Sequence, residues 1–225
     1  MTQTKQVKSE TKQVKERIAR KAAEFLKRNQ VVNLGIGIPT IIADIVPQGI
    51  IFMHTENGML GVGPTPNPGE EDKQIINAGK KHITETIGCS YFDSAQSFAM
   101  IRGGHIDTAV LGALQISEKG DIANWAAPGK AVLGVGGAMD LVVGAKKVIV
   151  TTTHLTREGN PKILSKCDYP LTAEQEVDIL ITEFAVFCFD EAGMVLCEIS
   201  SDITLEELKE ITPANYRVSD HLKIW

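Results

Sequence analysis

Glu56 is the residue in this sequence best placed to do chemistry. It follows the apolar run Ile51-Phe52-Met53-His54 and precedes Asn57-Gly58, a strong tight-turn dipeptide. A carboxylate at the end of a strand and beside a turn is partly desolvated, and such a group can serve as a nucleophile or a general base. The same spacing also describes a solvated turn glutamate, and spacing alone leaves both readings open. The second feature is Gly134-Val135-Gly136-Gly137-Ala138-Met139-Asp140, with three glycines in four residues. Its backbone N–H groups could cradle an oxyanion or a phosphate, or the segment could be a plain connection. A third segment, Asn33-Leu34-Gly35-Ile36-Gly37-Ile38-Pro39, closes an apolar run.

Several common chemistries are excluded. Gly35-x-Gly37 and Gly134-x-Gly136 both lack the third glycine of a dinucleotide fingerprint, with Thr40 and Met139 in its place. Gly79-Lys80-Lys81 lacks the Ser or Thr of a phosphate loop, and no Gly-x-Ser-x-Gly elbow occurs. His54, His82, His154 and His221 show no metal-ligand spacing, so no metal is expected. His105 could act as a base paired with Asp107 or tie a turn together, and Trp125 reads as a packing anchor. Cys89, Cys167, Cys188 and Cys197 are scattered and read as reduced thiols of a cytoplasmic protein.

The elements that would position these residues follow from the hydrophobic pattern. The tandem repeat Thr4–Glu10 and Thr11–Arg17 leads into an apolar stripe, Val14, Ile18, Ala22 and Phe25, which predicts a helix from about residue 11 to Lys27. Residues 1–10 are expected to form a flexible extension. Strands are expected at Val31–Gly37, Ile50–His54, Thr108–Leu114 and Lys147–Thr152. A helix is expected from Thr40 to Val46, with Pro39 suited to its first turn. Ile179–Phe189 is either helix or strand, and Thr204-Leu205-Glu206-Glu207 is a capping box opening a C-terminal helix. Continuous apolar strands alternating with helices indicate an α/β protein: a single open, largely parallel sheet covered by helices on both faces. No linker divides the 225 residues, so one domain is expected over 1–225. The 23 Lys+Arg against 28 Asp+Glu leave a net charge of −5, which disfavours non-specific nucleic-acid binding. No apolar run reaches the ~20 residues of a membrane span, and the charged start is no secretory signal.

Taken together, the motifs carry a resemblance. They are Val32–Thr40; Glu56-Asn57-Gly58 with Leu60–Pro64; Ile76–Gly79; Ser97–His105; Ala123-Asn124-Trp125; Gly134–Leu141; and Tyr169–Thr172. In this order they resemble the B (beta) subunit of the two-subunit 3-oxoacid CoA-transferases of family I, from about Ile18 to Phe189. The resemblance implies that Glu56 is a nucleophile that forms an acyl-glutamyl anhydride and then a glutamyl-CoA thioester, in ping-pong fashion. It implies that Gly137, with Gly136 beside it, serves the oxyanion hole, and that Asn33 and Asn57 belong to the substrate pocket. It also implies no metal and no cofactor, coenzyme A esters being substrates. The partner it implies is a separate A (alpha) subunit, in an A2B2 assembly. Thr55 replaces the family's usual serine but keeps the hydroxyl. The leading expectation is the succinyl-CoA:acetoacetate type. Alternatives are 3-oxoadipate CoA-transferase, suggested by Pro68–Asp72 and Leu155-Thr156-x-x-Gly159, and acetate- or butyrate-acetoacetate transfer. Contrasting classes are a CoA-ester hydrolase using the same glutamate, and a non-enzymatic module on the same scaffold.

Overall fold

A computed structural model describes residues 2–129, 132 and 134–225 of the chain, with backbone alone for residues 2–10. Met1, Lys130, Ala131 and Leu133 lie outside it. In chain order the elements are α1 (Thr2–Ala23), β1 (Val31–Leu34), α2 (Ile38–Ile45), β2 (Phe52–Thr55), β3 (Met59–Val62), β4 (Glu85–Tyr91), α3 (Ser94–Arg102) and β5 (Thr108–Gly112). These are followed by β6 (Gln115–Ser117), β7 (Ile122–Ala123), α4 (Ala138–Gly144), β8 (Val148–Thr151), β9 (Ile163–Leu164) and β10 (Ile179–Ile181). The chain closes with β11 (Ala185–Asp190), β12 (Gly193–Ile199), α5 (Leu205–Glu210) and β13 (Arg217–Ile224).

Ten strands form one open sheet in the order β13-β12-β11-β10-β8-β5-β1-β2-β3-β4, and β7-β6-β9 form a small second sheet. The adjacent strands β10, β8, β5, β1 and β2 run parallel to one another. Parallel strands of this kind are covered on both faces. Every residue of β8 and β10 is buried, as are the first four of β5. Alternate side chains go to opposite faces. Ala109 and Leu111 pack with Ile101 of α3, Leu141 of α4 and Leu208 of α5. Val110 faces the other way, with Ile18 of α1 and Ile42 of α2.

The flanks are largely antiparallel, which the sequence pattern did not reveal, and the edge strand β13 returns to run parallel to β12. β2, β3 and β4 form a meander, and β10, β11 and β12 another. Ile179–Phe189 resolves as the hairpin β10–β11, because Thr182 Oγ1 accepts the N–H groups of Phe184 and Ala185 and reverses the chain. Expected strand and helix bounds shift by a few residues. β1 stops at Leu34, and α2 begins at Ile38 with Pro39 in its first turn. The first helix begins at Thr2 instead of about residue 11. It closes at Ala23 instead of Lys27, where the N–H groups of Glu24, Phe25 and Leu26 bond three residues back and tighten the chain into a turn. The capping box at Thr204 is complete, with both reciprocal bonds present.

Phe187 is fully buried, edge-on to Tyr216 at 5.3 Å between ring centroids. Phe187→Ala should lower the unfolding free energy by about 3–5 kcal/mol, read from urea denaturation of the full chain.

Candidate active site

In an open α/β sheet, sites form in the crevice outside the carboxyl ends of the parallel strands. β1 and β2 end side by side, with Asn33 in register with His54. Glu56 is the first residue past β2 and is half-buried. It rides on a turn closed by the Gly58 N–H to the Thr55 carbonyl at 3.0 Å. Gly58 holds φ at +123°, and a Cβ added there would stand 2.1 Å from the Phe92 carbonyl oxygen. The backbone crowds this residue so closely that only glycine fits.

The turn is braced from outside by the segment Ile76–Gly79. Thr55 Oγ1 donates to Asn57 Oδ1 at 2.7 Å and accepts the Ala78 N–H at 3.1 Å. Asn57 Nδ2 donates to the Ile76 carbonyl at 2.8 Å. Asn57 is itself exposed, and its carboxamide bonds within the protein at both ends. The hydroxyl is what position 55 contributes, so threonine in place of serine leaves both bonds intact.

Asn33 is fully buried beneath Glu56. Its Nδ2 lies 3.0 Å from His54 Nδ1 and 3.5 Å from Glu56 Oε2. The second contact is at the long limit of a hydrogen bond. Among the described residues Asn33 Oδ1 has no hydrogen-bond partner. His54 is buried, stacked on Phe92 at 5.8 Å, and its Nε2 is 3.1 Å from Ser97 Oγ. Burial pushes its pKa down to about 4, so the ring is neutral at physiological pH.

The glycine loop arrives from the far side. Gly137 caps α4, and a Cβ there would come 3.4 Å from Glu56 Cγ and 3.2 Å from Phe98 Cζ. Two contacts hold α4 in that place. Arg102 of α3 donates to Asp140 at 2.6 Å. A Cβ on Gly144 would stand 2.4 Å from the Ile101 carbonyl, so a glycine there lets the two helices touch. Glu56, Asn33, Asn57 and Gly137 are thus brought to one place, with Gly136 adjacent to Gly137 in the chain.

His105 and Asp107 are not brought together as a pair. His105 is exposed, while Asp107 accepts from the Val31 N–H at 2.8 Å and from Lys146 Nζ at 2.7 Å. These bonds hold its carboxyl below the usual range, Lys146 contributing most. Trp125 is half-buried and donates to the Leu171 carbonyl at 3.2 Å, joining two of the motifs. His54 and Ser97 were not singled out from the sequence. The available signal was the position of Ser97 within the Ser97–His105 motif and of His54 at the end of the apolar run before Glu56.

A sheet of this topology, with a carboxylate at the end of β2 and a glycine loop against it, defines a class. Residues 15–207 match the coenzyme A transferase family, and the chain belongs to it. This is a family of enzymes that transfer coenzyme A. The B subunit of a probable succinyl-CoA:3-ketoacid coenzyme A transferase from Bacillus subtilis is 50% identical over 209 residues, spanning 92% of this chain and 97% of that protein. The beta subunit of an acetate CoA-transferase from Escherichia coli is 46% identical over 209 residues, spanning 92% and 95%. Among solved structures, an acyl-CoA transferase from Escherichia coli O157:H7, in a thioester complex with CoA, shares the fold with a TM-score of 0.76 at 21% identity. That match covers 94% of this chain and 43% of the other, so this chain spans less than half of that longer protein.

Gly58→Ala should cost about 1–3 kcal/mol from backbone strain alone, with the Phe92 contact adding to it. The lowered urea midpoint of the full chain would show this.

Proposed function

We propose that this chain is the B (beta) subunit of an acyl-CoA:3-oxoacid CoA-transferase of the succinyl-CoA:acetoacetate type, working with a separate alpha subunit in an A2B2 assembly. The observation that carries the reading is the position of Glu56, half-buried at the end of β2, with Asn33 Nδ2 at 3.5 Å on one side. Gly137 stands on the other side with no side chain between. The 50% identity to the Bacillus subtilis protein supports the substrate pair. The E. coli relative at 46% favours a second reading, in which acetate is the acceptor acid.

The reaction follows from covalent catalysis by a carboxylate. A carboxylate oxygen of Glu56 attacks the thioester carbonyl of acyl-CoA. The C–S bond breaks, CoA thiolate leaves, and an acyl-glutamyl anhydride remains. The thiolate attacks the glutamyl carbonyl carbon, and the acyl group departs as its carboxylate, leaving a glutamyl-CoA thioester. The acceptor carboxylate attacks that thioester and takes CoA away by the reverse sequence, restoring Glu56. Each addition places negative charge on a carbonyl oxygen, and the backbone N–H groups of Gly137 and Gly136 are the donors assigned to it. Asn33 is assigned to the pocket around the reacting carbonyl, and Asn57, its carboxamide held by Thr55 and Ile76, to the turn that carries Glu56. The scheme balances without a metal or a cofactor. Among the described residues no helix is long and apolar enough to cross a membrane, and the proposed location is the cytoplasm.

Co-expression with the alpha subunit should give transfer of CoA from succinyl-CoA to acetoacetate, and this chain purified alone should give none. Screening acetoacetate, 3-oxoadipate and acetate as acceptors separates the readings, and release of free CoA without transfer would mark a hydrolase instead. Incubation of the complex with acyl-CoA and no acceptor should leave CoA on Glu56, seen by mass spectrometry after borohydride reduction. Glu56→Gln should abolish the label. Glu56→Asp retracts the carboxylate by about 1 Å and should cost ~10²-fold in rate. Label on another residue would end the assignment.

Gly137→Ala would set a methyl group against Glu56 and Phe98. A kcat loss of ~10²–10³-fold is expected, the scale of one oxyanion donor. Unchanged kcat in steady-state assays would remove Gly137 from the mechanism.

A further inference from the structure

The chain from Ser97 through His54 and Asn33 to Glu56 has a direction, and that direction is set by hydrogen-bond chemistry. An ionised carboxylate accepts and does not donate. The atom of Asn33 facing Glu56 Oε2 must therefore be the amide nitrogen, as it is in the structure at 3.5 Å. The same nitrogen faces His54 Nδ1 at 3.0 Å. Its two N–H bonds are thus divided between the ring and the carboxylate. His54 Nδ1 must then accept, which places the single proton of the neutral ring on Nε2. Nε2 faces Ser97 Oγ at 3.1 Å, where a hydroxyl oxygen is free to accept. Each link fixes the next.

From this geometry we infer that His54 is a positioning residue for the transferase site: as the Nε2–H tautomer held by Ser97, it locks the Asn33 carboxamide with an N–H toward Glu56. The inference rests on the function proposed above for Glu56. His54 is 2% exposed and acts only through Asn33. A locked carboxamide grips one carboxylate oxygen, Oε2, and leaves Oε1 to turn toward the thioester carbon. If the amide turned over, Oδ1 would face Oε2, two acceptors would oppose each other, and the carboxylate would swing away. Asn33 is fully buried, where mispaired polar groups cost most. Burial also explains why the ring stays neutral, and a neutral ring is what the lock requires, since an imidazolium would present a second donor to the Asn33 amide.

Three measurements test this. In the full 225-residue chain labelled with nitrogen-15 histidine, His54 should appear as the neutral Nε2–H tautomer at pH 7, its signal identified by loss in His54→Asn. An Nδ1–H tautomer or a charged ring would overturn the inference. In the complex with the alpha subunit, His54→Phe keeps the ring stacked on Phe92 but removes the acceptor. It should lower kcat by ~10²-fold, the scale of a misplacement of about 1 Å at the reacting atoms, with KM for acyl-CoA unchanged. His54→Asn returns an acceptor oxygen close to the Nδ1 position and should recover most of kcat. Equal loss in both variants, or a loss confined to KM, would reduce His54 to a packing residue and overturn the inference. If the wild-type complex moves no CoA, it is the proposed function that fails, and the tautomer measurement still decides the lock.

Discussion

The turn from Thr55 to Gly58 is the constraint that holds the site in place. Glu56 can stand past the end of β2 only because the chain reverses within two residues, and it reverses there because residue 58 adopts φ +123° against the Phe92 carbonyl. The Phe92 N–H returns a bond to the Gly58 carbonyl at 3.0 Å, so the turn is pinned to the residues that open α3. Its other side is pinned to Ile76–Gly79 through Thr55 and Asn57. Three stretches distant in the chain therefore meet at one turn. A carboxylate gains most as a nucleophile when its approach is fixed in advance, and here the fixing is done by backbone contacts, which have few alternative conformations.

The parallel sheet supplies the second axis of that frame. Asn33 reaches Glu56 because β1 and β2 pair in a register that sets Asn33 opposite His54. A slip of one residue would send Asn33 to the opposite face of the sheet, into the layer covered by the other helices. The register is held by apolar side chains on both faces, so the two buried clusters are also what keeps a polar triad aligned. Gly137 approaches from α4, whose place is set by α3 through Arg102–Asp140 and the close contact at Gly144. The site thus has a wall from the α3–α4 layer and a floor from the sheet.

The central strands and the turn that carries Glu56 were legible because their signals are local. Runs of consecutive apolar residues favour strands buried on both faces, and a glutamate before Asn-Gly marks a turn. The antiparallel flanks were not legible. β4 alternates half-buried and exposed residues irregularly, as does the edge strand β13, which pairs in parallel with β12, and β10 and β11 read as one apolar run until Thr182 breaks it. His54 carries no local signal: it shows no metal-ligand spacing, and its place beside Asn33 comes from strand register, which is a pairing between distant residues. Asp107 illustrates the reverse case. Its nearness to His105 suggested a pair, but Lys146 lies closer in space and takes the carboxylate.

The exposed apolar side chains bear on why such a chain would need a partner. Ile36 is 69% exposed, Val132 59% and Met139 38%. Ile36 lies between β1 and α2, Val132 in the stretch leading to the glycine loop, and Met139 in the first turn of α4. Met139 follows Gly137, where an added Cβ would come 3.4 Å from Glu56, and Ile36 lies beside Gly79 of the segment that braces the Glu56 turn. Apolar groups left in water beside a reactive carboxylate lose the stabilisation that burial would add, unless another surface covers them. Covering them would also dry the site. A glutamyl-CoA thioester is open to water for as long as it waits for an acceptor acid, and excluding water is what separates a transferase from a hydrolase. Glu56 is only half-buried within this chain. The remaining cover is the contribution asked of the alpha partner, so in the proposed assembly the interface and the protection of the intermediate are one and the same surface.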